Sequence, residues 1–425
     1  MTLWLCTATI RNGPLAAPES RSTGREFDVQ PTEMTNPIAK LSFWGVRGTT
    51  PTVDPATWRY GGNTPCVELI APDGTQFIFD CGTGLRMLGS RWGNGTGGPS
   101  GKSAGTHVFV THYHWDHIQG LPFFAPLYAE NNQFEFYSFR SRFLGRDSLR
   151  QAMETQMALP YFPVDISAMN ARRKFREVEG GESFTIGSNK IVTSWLNHPQ
   201  GCLGFRVETP AGTVVYATDN EPGDPALDKS LRELAAGADI FINDAQYTPA
   251  RLTNERKGWG HSTWLEGVNI AREVNAKTLV LFHHDPDSTD RAIDEILHQA
   301  REQFDSAFAA SEGMVITLGA ANEPVQAHMP GSRTALRREA QFRASVCGVT
   351  AEGEKFEEQT LVRDLSLQGA LISLKHSPRM QSELQVTMET PTADGLKAMH
   401  LRGYVVRIEE GAEKGTTAVG LVFTD

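Results

Sequence analysis

A chain of 425 residues is too long for one compact core and predicts two domains. Its composition, 40% hydrophobic and 21% charged, is that of an ordinary soluble globular protein, and its net charge of −10 disfavours tight binding to long nucleic acid. No apolar run reaches the roughly 20 residues of a bilayer-spanning helix, so no membrane partner is expected.

Residues 1–38 carry a short apolar run with no basic segment before it and no cleavage site after it. They are otherwise rich in Pro, Thr, Ser, Asn and Glu, and read as a disordered or non-native extension. The five cysteines, Cys6, Cys66, Cys81, Cys202 and Cys347, are odd in number and scattered. They suit a reducing compartment, the cytoplasm, and none forms the CxxC pair of a cysteine zinc site.

Residues 39–319 alternate short apolar strands with loops and helices. Predicted strands at 76–80, 107–110, 213–216 and 278–282 each run into a polar cluster, at Asp80, His112, Asp219 and His283. Function collecting at strand ends fits a layered α/β scaffold. The Gly- and Ser-rich stretch 93–105 predicts a surface loop. Residues 143–159 predict a helix, followed by Pro160-Tyr161-Phe162-Pro163, which either walls a pocket or packs as an aromatic anchor. A linker is expected at 320–332, around Pro324 and Pro330-Gly331. After it, 333–425 predicts a small β domain, with strands at 370–374, 384–388, 401–408 and 419–423.

The strongest signal is Thr111-His112-Tyr113-His114-Trp115-Asp116-His117. In extended chain His112 and His114 share a side, so both reach one divalent ion, and Asp116 with His117 can serve a second. This HxHxDH run resembles the signature of the metallo-β-lactamase superfamily, and further elements of that pattern follow in order. They are Asp80-Cys81-Gly82-Thr83-Gly84, His198 before Pro199, Asp219 after Thr218, and His283 in Phe282-His283-His284-Asp285-Pro286. The resemblance implies an αββα sandwich with a dinuclear site along one edge. It places His112, His114 and His198 on one metal, Asp116, His117 and His283 on the other, and Asp219 between them. His284 is the neighbouring alternative to His283. Asp80 would accept a hydrogen bond from a ligating imidazole. Two divalent ions are implied, zinc first, with manganese or iron as alternatives.

Three features narrow the chemistry. Asp219 at the bridge differs from the cysteine of antibiotic-degrading zinc enzymes. His114 differs from the Glu of the redox di-iron branch. Gly260-His261-Ser262-Thr263 resembles the GHS-type motif of transfer-RNA 3′-processing nucleases and their cyclic-phosphodiesterase relatives, which implies that His261 protonates a leaving oxygen or contacts phosphate. Thr263 and Glu266 look like a capping box, which sets His261 just ahead of a helix N-terminus. Asp116 and His261 are the candidate catalytic groups. Residues 43–51 and 59–64 also look like this branch, with Arg47 and Asn63 expected to order their turn.

In the last segment, Asp364-Leu365-Ser366-Leu367-Gln368-Gly369 fits D/N-x-S-x-x-G, with Arg333, Arg337, Arg338 and Arg343 upstream. The segment resembles a PilZ domain, a small β-barrel family that binds cyclic di-GMP, which implies Arg337, Arg338, Arg343, Asp364, Ser366 and Gly369 as ligand contacts. Arginine suits guanine edges and phosphate. Glu339, four residues before Arg343, stands where the family's RxxxR has arginine, and would repel phosphate.

The expectation is a dinuclear-metal phosphodiesterase acting on a small cyclic or short phosphodiester, with cyclic di-GMP as regulator and a second copy of the chain as further partner. Alternatives are thioester or lactone hydrolysis at the same ions, and a signalling adaptor with a vestigial hydrolase domain.

Overall fold

The computed structural model describes residues 37–92, 105–252, 256–319, 326–328, 338–350, 352–365, 369–379, 382–392, 395–410 and 416–423. Residues 1–36 of the expected extension, nearly all of the 93–105 loop, Arg333, Arg337 and Ser366 lie outside them.

The chain opens with β1 (Ala39–Gly45), β2 (Cys66–Ile70), β3 (Gln76–Phe79), α1 (Gly84–Arg91), β4 (Thr106–Phe109), α2 (Trp115–Ile118), β5 (Gln133–Ser138), α3 (Ser148–Gln156) and β6 (Arg172–Glu177). It continues through β7 (Ser183–Ile186), β8 (Asn189–Leu196), β9 (Cys202–Thr209), β10 (Gly212–Ala217), α4 (Pro225–Ala235) and β11 (Ile240–Asp244). Next come α5 (Trp264–Glu273), β12 (Leu279–Phe282), α6 (Asp290–Arg301), β13 (Ala307–Ala309), β14 (Val315–Leu318) and β15 (Gln326–His328). One eight-stranded sheet runs β15-β14-β1-β2-β3-β4-β5-β6, and one seven-stranded sheet runs β13-β12-β11-β10-β9-β8-β7. The stretch expected as a linker thus contains β15, which pairs antiparallel with β14.

The sheets face each other across a buried aromatic layer in which Phe79, Phe109, Phe205, Tyr216 and Phe282 meet. Removing one such ring costs on the order of 3–5 kcal/mol. The outer face of the seven-stranded sheet packs Val215, Phe241 and Leu281 against Leu231, Leu234 and Val268 of α4 and α5. The outer face of the other sheet packs Ile78, Val108 and Phe136 against Leu85, Leu88 and Met153 of α1 and α3. The expected αββα sandwich is therefore present. Helix α3 is shorter than the 143–159 expectation.

Strands β3 to β6 run parallel, as do β10 to β13. Parallel strands buried on both faces read as unbroken apolar runs, such as Leu279–Phe282. Their common direction brings their C-terminal ends to one edge. Asp80, Thr111, Asp219, Asp244 and His283 all sit at or just beyond such ends.

Beyond the sandwich, β16 (Arg338–Val349), β17 (Lys355–Leu365), β18 (Gly369–Leu374), β19 (Glu383–Thr392), β20 (Gly395–Glu410) and β21 (Thr417–Phe423) close into a barrel, in the order β16-β17-β18-β21-β20-β19. Val346, Val362, Ile372, Val386, Val405, Val419 and Leu421 fill it. Each predicted strand of this region is present.

Candidate metal centre

Asp80 leaves β3 with φ 59°, a left-handed value that a non-glycine residue adopts at a cost of ~1–3 kcal/mol. The turn swings its fully buried carboxylate beneath the histidine run. It accepts from the Thr111 backbone N–H at 2.8 Å, the Thr111 hydroxyl at 2.9 Å, the Tyr216 hydroxyl at 2.9 Å and His117 Nδ1 at 2.7 Å. The bond to His117 fixes the tautomer and turns its Nε2 lone pair inward. Because the Thr111 hydroxyl donates to Asp80, it is an acceptor for His112 Nδ1 at 3.0 Å. His112 Nε2 is then unprotonated, buried, and without a hydrogen-bond partner.

His198 Nδ1 donates to the Gly260 carbonyl at 2.9 Å, and its Nε2 lies 3.0 Å from His114 Nδ1. Gly260 has φ 88°, and a Cβ there would stand 2.1 Å from His198 Nδ1, so only glycine lets this carbonyl approach the ring. His112, His114 and His198 thus turn one nitrogen each toward a common point.

A second group forms around His117 Nε2, which is 3.3 Å from His283 Nε2, 3.3 Å from Asp116 Oδ2 and 3.3 Å from Asp219 Oδ2. His283 (φ 59°) donates from Nδ1 to Gln246 Oε1 at 2.9 Å, which aims its Nε2 at the same point. The Thr49 backbone N–H holds Asp116 Oδ2 at 2.7 Å.

Asp219 (φ 57°) lies between the groups. Its Oδ2 faces His117 and His283 at 3.3 and 3.4 Å, while its Oδ1 is 3.9 Å from His112 Nε2 and 4.0 Å from His198 Nε2. Electron pairs of buried nitrogens and carboxylates converge at both points, which a cation must neutralise. Without one, a proton serves. Burial opposes charge on His117, yet Asp116, Asp219 and Asp80 outweigh it and hold that imidazole well above its ordinary range. Burial likewise pushes Asp219 up, but His283 and His117 hold it well below the usual carboxylate range. The donor set of imidazole nitrogen and carboxylate oxygen fits divalent transition ions, and the orphaned His112 Nε2 fits a ligand atom.

His261 lies beside the second group, stacked on His283 with ring centroids 5.1 Å apart. Its Nδ1 donates to Asp244 Oδ2 at 2.9 Å. Burial lowers its pKa, but Asp244 outweighs burial and raises it to about 9. Thr263 caps α5 by accepting from the Glu266 N–H. The reciprocal half of the expected capping box is absent, because the Glu266 carboxylate pairs with Arg232 at 3.4 Å.

His284 is not in either group. Burial drives its pKa down to about 3, and its Nε2 donates to the Ala310 carbonyl. Arg47 is buried and donates to the carbonyls of Gly61, Asp285 and Ser288, and Asn63 donates to Glu312, so both order turns as expected. The sequence reading missed Asp244, Thr111, Gln246 and Glu221. Glu221 accepts from the N–H groups of Gly258 and Gly260 and so anchors the loop ahead of His261. A signal for Asp244 existed, since it ends an apolar strand as Asp80 follows one.

In the barrel, the register sets Arg338 opposite Leu365, Glu339 opposite Asp364, and Arg343 opposite Leu361. Glu339, not an arginine, is therefore the cross-strand partner of Asp364. Gly369 opens β18 opposite Val422.

Residues 75–284 match the beta-lactamase superfamily domain, the class that the four-layer sandwich and its paired histidine groups define. Residues 333–425 match the PilZ domain. The chain is a metallo-β-lactamase-superfamily hydrolase joined to a PilZ domain. Ribonuclease Z of Haloarcula marismortui is 25% identical over 317 residues, covering 64% of this chain and 94% of that protein. Ribonuclease Z of Haloferax volcanii is 26% identical over 314 residues, covering 64% and 93%. The metallo-beta-lactamase fold protein YhfI of Bacillus subtilis aligns with TM-score 0.49 at 18% identity, covering 66% of this chain and 99% of that one. Among the described residues no helix is long and apolar enough to cross a membrane.

Proposed function

We propose that the sandwich hydrolyses phosphodiesters at two divalent ions, with zinc as the first candidate. His112, His114 and His198 would hold one ion, Asp116, His117 and His283 the other, and Asp219 would bridge them. The observation that carries this reading is the divided carboxylate of Asp219, each oxygen facing a different histidine group. When bound, the ions supply Lewis acidity that lowers the pKa of water and balances charge growing on phosphorus.

The chain's own groups do the rest. Asp80, through Thr111 and His117, holds two imidazoles in one tautomer. Asp244 keeps a proton on His261, beside the second group, where it can pass to a departing alkoxide. A thioester expels a thiolate, which needs that proton less, so the charged His261 favours an ester whose leaving atom is oxygen, as in a phosphodiester. The ribonuclease Z relatives bring RNA into the substrate class despite the acidic net charge. The 39–319 segment would be the catalytic domain and 333–425 a cyclic di-GMP-responsive one, in the cytoplasm.

The test is turnover of bis-p-nitrophenyl phosphate by the full chain loaded with Zn²⁺ or Mn²⁺, with and without cyclic di-GMP. Metal-dependent cleavage that is lost in His114→Ala supports the reading. Absence of cleavage by loaded protein moves it to thioesters and lactones.

A further inference from the structure

Glu221 follows Asp219 by two residues, is buried, and belongs to neither histidine group. The Gly258 N–H lies 2.8 Å from each of its carboxylate oxygens, and the Gly260 N–H donates to Oε2 at 2.8 Å. Among the described residues no cation pairs with it. Taking a carboxylate out of water is costly, and here backbone donors alone offset that cost.

The turn that Glu221 clasps has little packing of its own. Gly258 and Gly260 have φ 87° and 88°, and Trp259 between them is 58% exposed. The bonds to Glu221 therefore take the place of core contacts. The turn leads directly into His261, and its Gly260 carbonyl takes the His198 Nδ1 hydrogen at 2.9 Å. A second pair of bonds closes the circuit. The Glu221 N–H donates to the Asn197 carbonyl at 2.8 Å, and Asn197 Nδ2 donates to the Glu221 carbonyl at 2.7 Å. Glu221 thus grips the residue before His198 and the residue before His261, whose ring centroids lie 5.4 Å apart.

We propose that Glu221 is a positioning residue for proton delivery, fixing His261 relative to His198 so that the imidazolium meets the leaving oxygen. Asp244 holds the His261 ring, and Glu221 sets where the backbone beneath that ring stands. A general acid must come within hydrogen-bond reach of the atom it protonates, so a shift of about 1 Å costs on the order of 10²-fold in rate. The proposal rests on the phosphodiesterase reading above and adds to it a residue outside both ligand groups.

The experiment compares hydrolysis of bis-p-nitrophenyl phosphate and of diphenyl phosphate by the Zn²⁺-loaded full chain, with variants matched in zinc content by plasma mass spectrometry. Phenolate is the poorer leaving group, so its ester depends more on the proton of His261. Glu221→Gln keeps the volume and sets N–H groups against N–H groups. It should lower kcat for diphenyl phosphate by about 10²-fold and for bis-p-nitrophenyl phosphate by less than about 10-fold. Combined with His261→Gln it should add little to the loss that His261→Gln causes alone, because the two residues act as a unit. Glu221→Asp, which keeps the charge on a shorter arm, should show the same bias in smaller degree, and it carries the test if Glu221→Gln does not fold. Equal losses with both esters, or full additivity with His261→Gln, would overturn the proposal alone. A wild type that turns over neither ester would sink the phosphodiesterase reading and the proposal with it.

Discussion

Asp244 accepts the Nδ1 hydrogen of His261 at 2.9 Å, and its other oxygen accepts the backbone N–H groups of Gln246 and Ser262. One carboxylate thus fixes the ring and the two loops that meet there. Asp244→Asn keeps the shape and removes the charge. It should lower kcat by about 10²- to 10⁴-fold, the usual worth of a positioned acid, with metal content unchanged by plasma mass spectrometry. Loss of metal in step with activity would place Asp244 among the ligands instead.

The same pair sets a pH dependence. His261 has its pKa raised from 6.5 to about 9, with Asp244 prevailing over burial. Bound divalent cations nearby pull it down again, so the alkaline limb of kcat/KM should fall between pH 6.5 and about 9. For the metal-free chain the sign is that of a raised histidine. Its stabilisation is complete below pH 6.5 and is lost as pH rises through about 9. Thermal denaturation should show Tm falling over that window more in the wild type than in His261→Gln. Parallel curves would remove His261 from the account.

Asp80 touches Thr111, His117 and Tyr216 at once. Asp80→Asn should weaken metal affinity or activity by roughly 10- to 100-fold, as loss of a partner to a ligating histidine does. Competition with a chromophoric chelator measures it. An unchanged affinity would reduce Asp80 to a turn residue.

Gly260 passes its carbonyl to His198 at a positive φ, with no room for a Cβ. Gly260→Ala should cost ~1–3 kcal/mol of stability, read as a lower Tm, and should loosen the ion held near His198 more than the one near His283. Equal loosening of both ions would contradict this.

In the barrel, the strand register sets Glu339 directly opposite Asp364, with Arg338 opposite Leu365 and Arg343 further along β16. A carboxylate at that position repels a phosphate that an arginine would hold, so Glu339→Arg should tighten cyclic di-GMP binding by about 10-fold or more. Calorimetry with the full chain decides. If the change does not matter, the barrel serves protein contacts.

Most of the centre was legible because its spacing is local. His112, His114, Asp116 and His117 fall within six residues of one another, and Asp80, Asp219 and His283 each follow an apolar strand. What the sequence hid are the groups that aim these side chains. Thr111, Gln246 and Glu221 are ordinary polar residues, and Asp244 meets His261 only because β11 lies parallel to β10 and β12. The choice of His283 over His284 also needed three dimensions, since the two rings depart from the same strand end toward Gln246 and toward Ala310. The arginine register of the barrel escaped because counting along the chain does not reveal the bulge between Glu339 and Phe342.

Asp80, Asp219 and His283 all stand on left-handed backbone. Each stands at or just beyond the end of a hydrogen-bonded strand, so the sheets fix where these turns begin and in which direction the three side chains leave. A rigid cage resists ions of the wrong radius more than a pliable one does, because it cannot shrink or swell to suit them. Discrimination among zinc, manganese and iron would then begin in the main chain at three strand ends, before any ligand atom is considered.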